Sequence, residues 1–230
     1  DGPDAVAGAG ARGPVLALGD SIMCGPQEGA YGVPPRAWPQ WIAELLDLPF
    51  HRIARPGASA PDLVDRELSR MRDDYAIACV GIGTNDVRSV DWDAGRYTRA
   101  LDTLLRAAGE AARRVCVATV PLDLGRPRAG AKVADLNEIV RDCAGSRGFA
   151  VVELADFGGW RLWFPDAVHP TALGQLEIAR RAARALGSNR DPVELAPPRT
   201  GPRSDLRYAA TRQIGHLARD RLRRWAERNV

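Results

Sequence analysis

No apolar run in the chain approaches the roughly 18 to 20 residues that a membrane-spanning helix requires. The opening stretch DGPDAVAGAGARGP lacks both the basic start and the apolar centre of a signal peptide. The reading is a cytoplasmic protein, with export left open because the stretch begins without methionine. Cysteine is scarce. Cys24, Cys79, Cys116 and Cys143 are too sparse for a disulfide scaffold, and Cys79 and Cys116 fall inside apolar runs where a thiol packs as a small hydrophobe, so all four are read as free. Only three histidines occur, His51, His169 and His216, and no cysteine pair stands at ligand spacing; neither a metal nor an organic cofactor is expected. GAGARG, residues 8 to 13, has the spacing of a dinucleotide loop, but it precedes the first apolar run, whereas that fingerprint must follow a strand. No internal repeat is visible.

What the chain does contain is an ordinary globular composition, 45% apolar and 27% charged over 230 residues, enough for one α/β domain with an appendage. The net charge of +3 is unevenly placed. From Gly201 to Val230 eight arginines face Asp205, Asp220 and Glu227, giving the tail +5 and leaving −2 for everything before it. The main body therefore offers no basic surface for nucleic acid.

Short apolar runs alternate with amphipathic segments. The runs are VLAL (15 to 18), HRIA (51 to 54), AIACVGIG (76 to 83), RVCVATV (114 to 120) and AVVEL (150 to 154). Between and after them, stretches such as DAGRYTRALDTLLRAAGEAA and TALGQLEIARRAARALG place apolar residues three and four apart. This alternation predicts a five-stranded parallel sheet with helices on both faces, whose active crevice lies beyond the C-terminal strand ends. The segments are read as a flexible N-terminus (1 to 13), the α/β domain (14 to 187), a Pro/Gly-rich linker (188 to 204) and a basic amphipathic helix (205 to 230) with an apolar stripe through Leu206, Ala210, Ile214, Leu217 and Trp225.

Polar residues gather where strands end. Gly19-Asp20-Ser21 follows the first run, RPGAS with Gly57 the second, and Gly83-Thr84-Asn85-Asp86 the third; FPDAVHP sets Asp166 three residues before His169. A serine hydroxyl is a weak nucleophile until a base takes its proton, and an imidazole does this best when a carboxylate fixes its tautomer. Ser21, His169 and Asp166 supply that set. Candidate oxyanion donors are the backbone amides of Ser21 and Gly57 and the side-chain amide of Asn85. Each residue alone has a plainer reading: Ser21 fits a helix cap, Asn85 and Asp86 fit a turn, and Gly57 fits a tight bend. Asp20 is expected to hold the nucleophile loop by hydrogen bonding. Ser59 and Asp62 match a capping box, which makes Ser59 a poor nucleophile. Cys24 is a possible pocket-lining residue, as are Trp160 and Trp163, with core packing the alternative for each.

In their order and spacing, GDS (19 to 21), the glycine at 57, GTND (83 to 86) and DAVH (166 to 169) resemble the four blocks of the SGNH hydrolases, also called GDSL esterases and lipases. The resemblance covers roughly residues 14 to 187. It implies a three-layer flavodoxin-like fold, Ser21 as nucleophile, Asp166 and His169 as the rest of a triad, and Gly57 and Asn85 completing the oxyanion hole. The chain departs from many members at Arg52, where they carry asparagine. GDSIM lacks the second glycine of a G-x-S-x-G elbow, so this is not an ordinary α/β-hydrolase.

The expected activity is a serine esterase or acylhydrolase acting on a small-molecule ester, with acyl transfer to another acceptor as an alternative. A second alternative is a non-catalytic scaffold working through the basic C-terminal helix. That helix is expected to fold back or to contact a second copy, the protein being a monomer or homodimer. Membrane binding is disfavoured because Trp225 is its one large lipid anchor. Loop arginines Arg88, Arg126 and Arg128 hint at an anionic or polar substrate.

Overall fold

The computed structural model describes residues 13 to 196, 202 to 215 and 218. Most of the N-terminal segment and, in the C-terminal segment, His216, Leu217 and residues 219 to 230, including Trp225, lie outside the described residues.

Five strands form one parallel sheet: β1 (Val15–Gly19), β2 (Phe50–Ala54), β3 (Tyr75–Gly81), β4 (Ala112–Ala118) and β5 (Ala150–Val152), in the order β2-β1-β3-β4-β5. Because both faces are covered, the strands read as apolar runs, and alternate residues serve opposite layers. Val15 and Ala17 join a core with the helices α2 (Trp38–Leu45) and α7 (Ala172–Ala185), through Trp38, Trp41, Leu176 and Ala179. Leu16 and Leu18 face the other core, built with α3 (Ala60–Arg66), α5 (Ala94–Ala111) and α6 (Lys132–Gly145). Two one-turn helices open at strand ends: α1 (Ser21–Cys24) and α4 (Thr84–Arg88). This is the three-layer α/β architecture read from the sequence.

The chain runs outward from β1 to β2, then returns to place β3 on the opposite side of β1. Such a reversal leaves a crevice between the loops that diverge there. Gly19 stands level with Ala54 on one side and Gly81 on the other, so the loops bearing Ser21, Gly57 and Asn85 start from one edge. The close packing of β1 and β3 explains the glycine of GDS: a Cβ on Gly19 would lie 1.9 Å from the carbonyl oxygen of Gly81. His51 sits near the start of β2 and pairs its Nδ1 with the Tyr75 hydroxyl at 2.7 Å, at the edge away from the crevice.

In the C-terminal part, the linker reading needs correction. Residues 188 to 196 do not run free: a 3-10 turn at Pro192–Leu195 is docked, with Pro192 buried and Arg180 paired to Asp191 at 3.0 Å. Next, α8 (Pro202–Tyr208) returns to the domain, but not by its apolar stripe. Leu206, Ala210 and Ile214 are exposed. The contacts come instead from Asp205, which pairs with Arg161, and from Tyr208, whose ring stands 4.9 Å from that of Tyr31. An ion pair and an aromatic pair set the orientation that the hydrophobic pattern would have reversed.

Candidate active site

β1 delivers Ser21 to the first position of α1, and the cap of that helix is Asp20, not Ser21. Asp20 Oδ1 accepts from the Ile22 amide at 2.9 Å, which leaves the serine hydroxyl free for other work. Ser21 Oγ lies 3.0 Å from His169 Nε2, and His169 Nδ1 lies 2.7 Å from Asp166 Oδ2. Three groups from opposite ends of the chain thus form one line of hydrogen bonds. The nitrogen facing the carboxylate carries the proton, so Nε2 is left as the acceptor toward Ser21.

The DAVH turn is held by Asp166 itself, whose Oδ1 accepts from the amides of Val168 at 2.9 Å and His169 at 3.1 Å. Ala167, between Asp166 and these two amides, adopts φ +51°, a left-handed conformation that a non-glycine residue takes only under local constraint. Burial raises the Asp166 pKa, but the hydrogen bonds and charge of His169, with the two amides, outweigh it and hold the carboxyl below its ordinary range. Asp166 is therefore ionised at neutral pH.

The expected donors lie in loops that leave the same sheet edge as Ser21. The N–H groups of Ser21 and Gly57 have no acceptor among the described residues, and Gly57 is exposed with φ +76°. Asn85 Nδ2 spends one hydrogen on the Ala58 carbonyl at 2.9 Å and keeps its second. Asp86 faces away and accepts from the Ala60 amide at 3.0 Å, fastening α4 to the start of α3. Gly83 is required by crowding and φ +126° together: a Cβ there would meet Leu136 Cδ1 and the Tyr97 hydroxyl, each at 2.8 Å. Ser59 and Asp62 form the capping box of α3.

Two carboxyls near the nucleophile are poised away from their usual values. Burial pushes Asp20 up to about 6, opposed by the Ile22 amide, the positive field of His169 and the Thr84 hydroxyl. Asp20 Oδ2 is buried and accepts no hydrogen bond among the described residues. Burial likewise raises Asp86 to about 6, against the pull of the Ala60 amide.

The possible pocket residues separate. Trp163 is buried, packs edge-on against Phe157 with centroids 4.9 Å apart, and also lines a cavity of about 20 Å³ with Ile22, Met23, Ile82, Thr84 and Pro170. Trp160 is 62% exposed and meets the edge of Tyr31, away from that cavity. Cys24 does not line it either; its carbonyl accepts from Arg52 Nη1 at 3.0 Å, so Arg52 holds the end of α1. One residue escaped the sequence reading. Buried Gln175 in α7 accepts from the Trp38 amide and donates to the Ile22 carbonyl, both at 2.9 Å, tying the nucleophile turn to two helices. Its only signal was an amide on the apolar face of TALGQLEI. Among the described residues, no group of three His, Cys, Asp or Glu side chains could hold a metal ion. No helix among them is long and apolar enough to cross a membrane.

The profile of the GDSL-like Lipase/Acylhydrolase family matches residues 17 to 176. Among solved structures, the acetylxylan esterase Axe2 of Geobacillus stearothermophilus is similar at 20% identity, covering 76% of this chain and 94% of that one with a TM-score of 0.59. LAE5, an alpha/beta hydrolase enzyme from the metagenome of Lake Arreo, Spain, is similar at 18% identity, covering 76% of this chain and 95% of that one with a TM-score of 0.60. At these identities the likeness establishes the fold. Comparison with curated proteins finds no match.

Proposed function

Since the chain belongs to the GDSL-like lipase/acylhydrolase family and is thus an SGNH-type serine ester hydrolase, we propose that it cleaves its ester through an acyl-enzyme on Ser21. The observation that carries this reading is the unbroken line from Ser21 Oγ through His169 to the ionised Asp166. Ser21 Oγ attacks the ester carbonyl while its proton passes to His169 Nε2; the imidazolium so formed is stabilised by Asp166. The carbonyl oxygen becomes an oxyanion, met by the N–H groups of Ser21 and Gly57 and the free hydrogen of Asn85 Nδ2. Collapse breaks the C–O bond, and His169 gives its proton to the departing alcohol. Water then attacks the acyl group with His169 as base, releasing the acid and restoring Ser21.

A short acyl group is the reading we take: the cavity of about 20 Å³ has the space of about a single water, and Ile22 and Pro170 in its lining are the chain neighbours of Ser21 and His169, which do not line it themselves. Acetyl esters are the class to test first, the class that Axe2 is described as cleaving. Acyl transfer to another acceptor and a scaffold role for the C-terminal helix gain nothing from the family match.

The test compares p-nitrophenyl acetate, butyrate and octanoate, with the parent and with Ser21→Ala. The parent is expected to favour acetate, and Ser21→Ala to lose turnover by at least about 10³-fold. Parent-like rates in Ser21→Ala would falsify the acyl-enzyme, and preference for octanoate would remove the short-acyl claim.

A further inference from the structure

Three arginines stand in loops near the crevice, and their environments differ. Arg126 and Arg128 are both ion-paired with Asp123, at 3.0 and 2.5 Å. Arg88 is exposed and, among the described residues, makes neither a hydrogen bond nor an ion pair. An exposed arginine alone says little; its seat says more. Arg88 ends α4, the helix that carries Asn85, and its guanidinium lies against the backbone of Gly125: a Cβ there would sit 3.3 Å from Nε and 3.4 Å from Cζ of Arg88. The Gly125 amide in turn donates to the Ala167 carbonyl at 2.8 Å, inside the turn that presents Asp166 and His169. The cation therefore stands where the loops after β3 and β4 meet the histidine turn.

A second cation lies close. Lys132, the sole lysine of the chain, donates from Nζ to the Ser89 carbonyl at 3.3 Å and has no carboxylate partner among the described residues. Of the acids that follow Arg88, exposed Asp91 gives its amide to Ser89 Oγ at 3.1 Å, and Asp93 caps α5 through the Arg96 amide at 2.8 Å. Neither Arg88 nor Lys132 is ion-paired to a carboxylate among the described residues.

Resting on the esterase reading above, we propose that Arg88 is a specificity-determining residue that binds an anionic group, such as a carboxylate, on the alcohol portion of the ester. The alcohol side follows from the chemistry: His169 must reach the leaving oxygen to protonate it, so the leaving group lies along the histidine turn, and Arg88 borders that turn through Gly125. A guanidinium suits a carboxylate because its donors match the two oxygens in one plane.

The experiment uses two acetyl esters that differ mainly in charge, 4-acetoxybenzoate and its methyl ester. The ratio of kcat/KM for the anionic over the neutral ester is measured for the parent, Arg88→Gln, Arg88→Lys and, as a paired-arginine control, Arg126→Gln. Arg88→Gln is expected to lower the ratio by about threefold to tenfold, the range for one partly solvated charge-assisted contact. Arg88→Lys should keep part of it, Arg126→Gln should leave it in place, and raising the salt to 0.5 M should shrink the parent's ratio toward that of Arg88→Gln. A ratio in Arg88→Gln equal to that of the parent overturns the assignment while leaving the esterase intact. Failure of the parent to hydrolyse either ester would instead bring down the esterase reading, and this inference with it.

Discussion

Asn85 ties its own helix to the neighbouring loop by donating one side-chain hydrogen to the carbonyl of Ala58, 2.9 Å away. The bond leaves the second hydrogen of the same nitrogen available and steadies the loop that carries Gly57. Asn85→Ala removes a transition-state donor and its anchor together. We expect kcat to fall by about 10²- to 10³-fold with a smaller change in KM. A loss of less than about fivefold would place the oxyanion elsewhere.

Asp166→Asn probes the other end of the line. The carboxamide preserves size but can present its N–H₂ to Nδ1, which puts the histidine proton on Nε2, the wrong nitrogen for accepting from Ser21. The expected outcome is a drop of about 10³- to 10⁴-fold in kcat with secondary structure unchanged by circular dichroism. Retention of more than a tenth of the activity would mean that another group orients His169.

The buried carboxyl of Asp20 links protons to stability. Its pKa is about 6 in the folded protein against 3.8 for the free group, so between these values the native state holds more proton than the unfolded chain. The stability it contributes is complete below about pH 4 and is lost as the pH rises through about 6. Asp20→Asn keeps an oxygen for the Ile22 amide and removes the titration. Denaturant unfolding of parent and variant across pH 4 to 7 should show the parent losing, relative to Asp20→Asn, on the order of 3 kcal/mol. Taking the difference cancels the groups common to both proteins, including His51, whose burial lowers its pKa and acts in the opposite direction. A flat difference would mean that Asp20 is not raised.

Gln175→Leu leaves the buried Trp38 amide without a partner and the Ile22 carbonyl with only the Gly25 amide, at 3.3 Å. A loss of roughly 1 to 3 kcal/mol is expected, together with a fall in kcat, because the Ile22 tether positions the turn that bears Ser21. Thermal unfolding and steady-state kinetics on the same preparation check both parts. If stability falls and kcat does not, Gln175 is a core residue only.

The strands were legible because burial on both faces makes each one a continuous apolar run, and the site was legible because its residues sit in short blocks at strand ends. The spatial order of the strands was not read from the sequence, since nothing in the residues of β3 dictates which side of β1 it joins. What stayed hidden depends on partners far along the chain. Gln175 matters through Ile22 and Trp38, the closer of them 137 residues away. Ala167 takes a left-handed φ because both neighbouring amides must reach one oxygen of Asp166, a demand that no propensity encodes. The cap of α1 passed from Ser21 to Asp20 by a shift of one position, within the usual uncertainty of helix ends. The exposed Leu206, Ala210 and Ile214 show a hydrophobic pattern overruled by the contacts of Asp205 and Tyr208 with the domain.

Because the serine and the histidine it meets are 148 positions apart, severing the chain at any surface loop from 22 to 165 would strand the hydroxyl on one piece and the imidazole with its carboxylate on the other. Neither piece alone would be competent, and ester cleavage would become a count of reunited halves. A cut at exposed Gly130, where a side chain would meet nothing, is the natural place to try it, and turnover by a lone half would be incompatible with the triad.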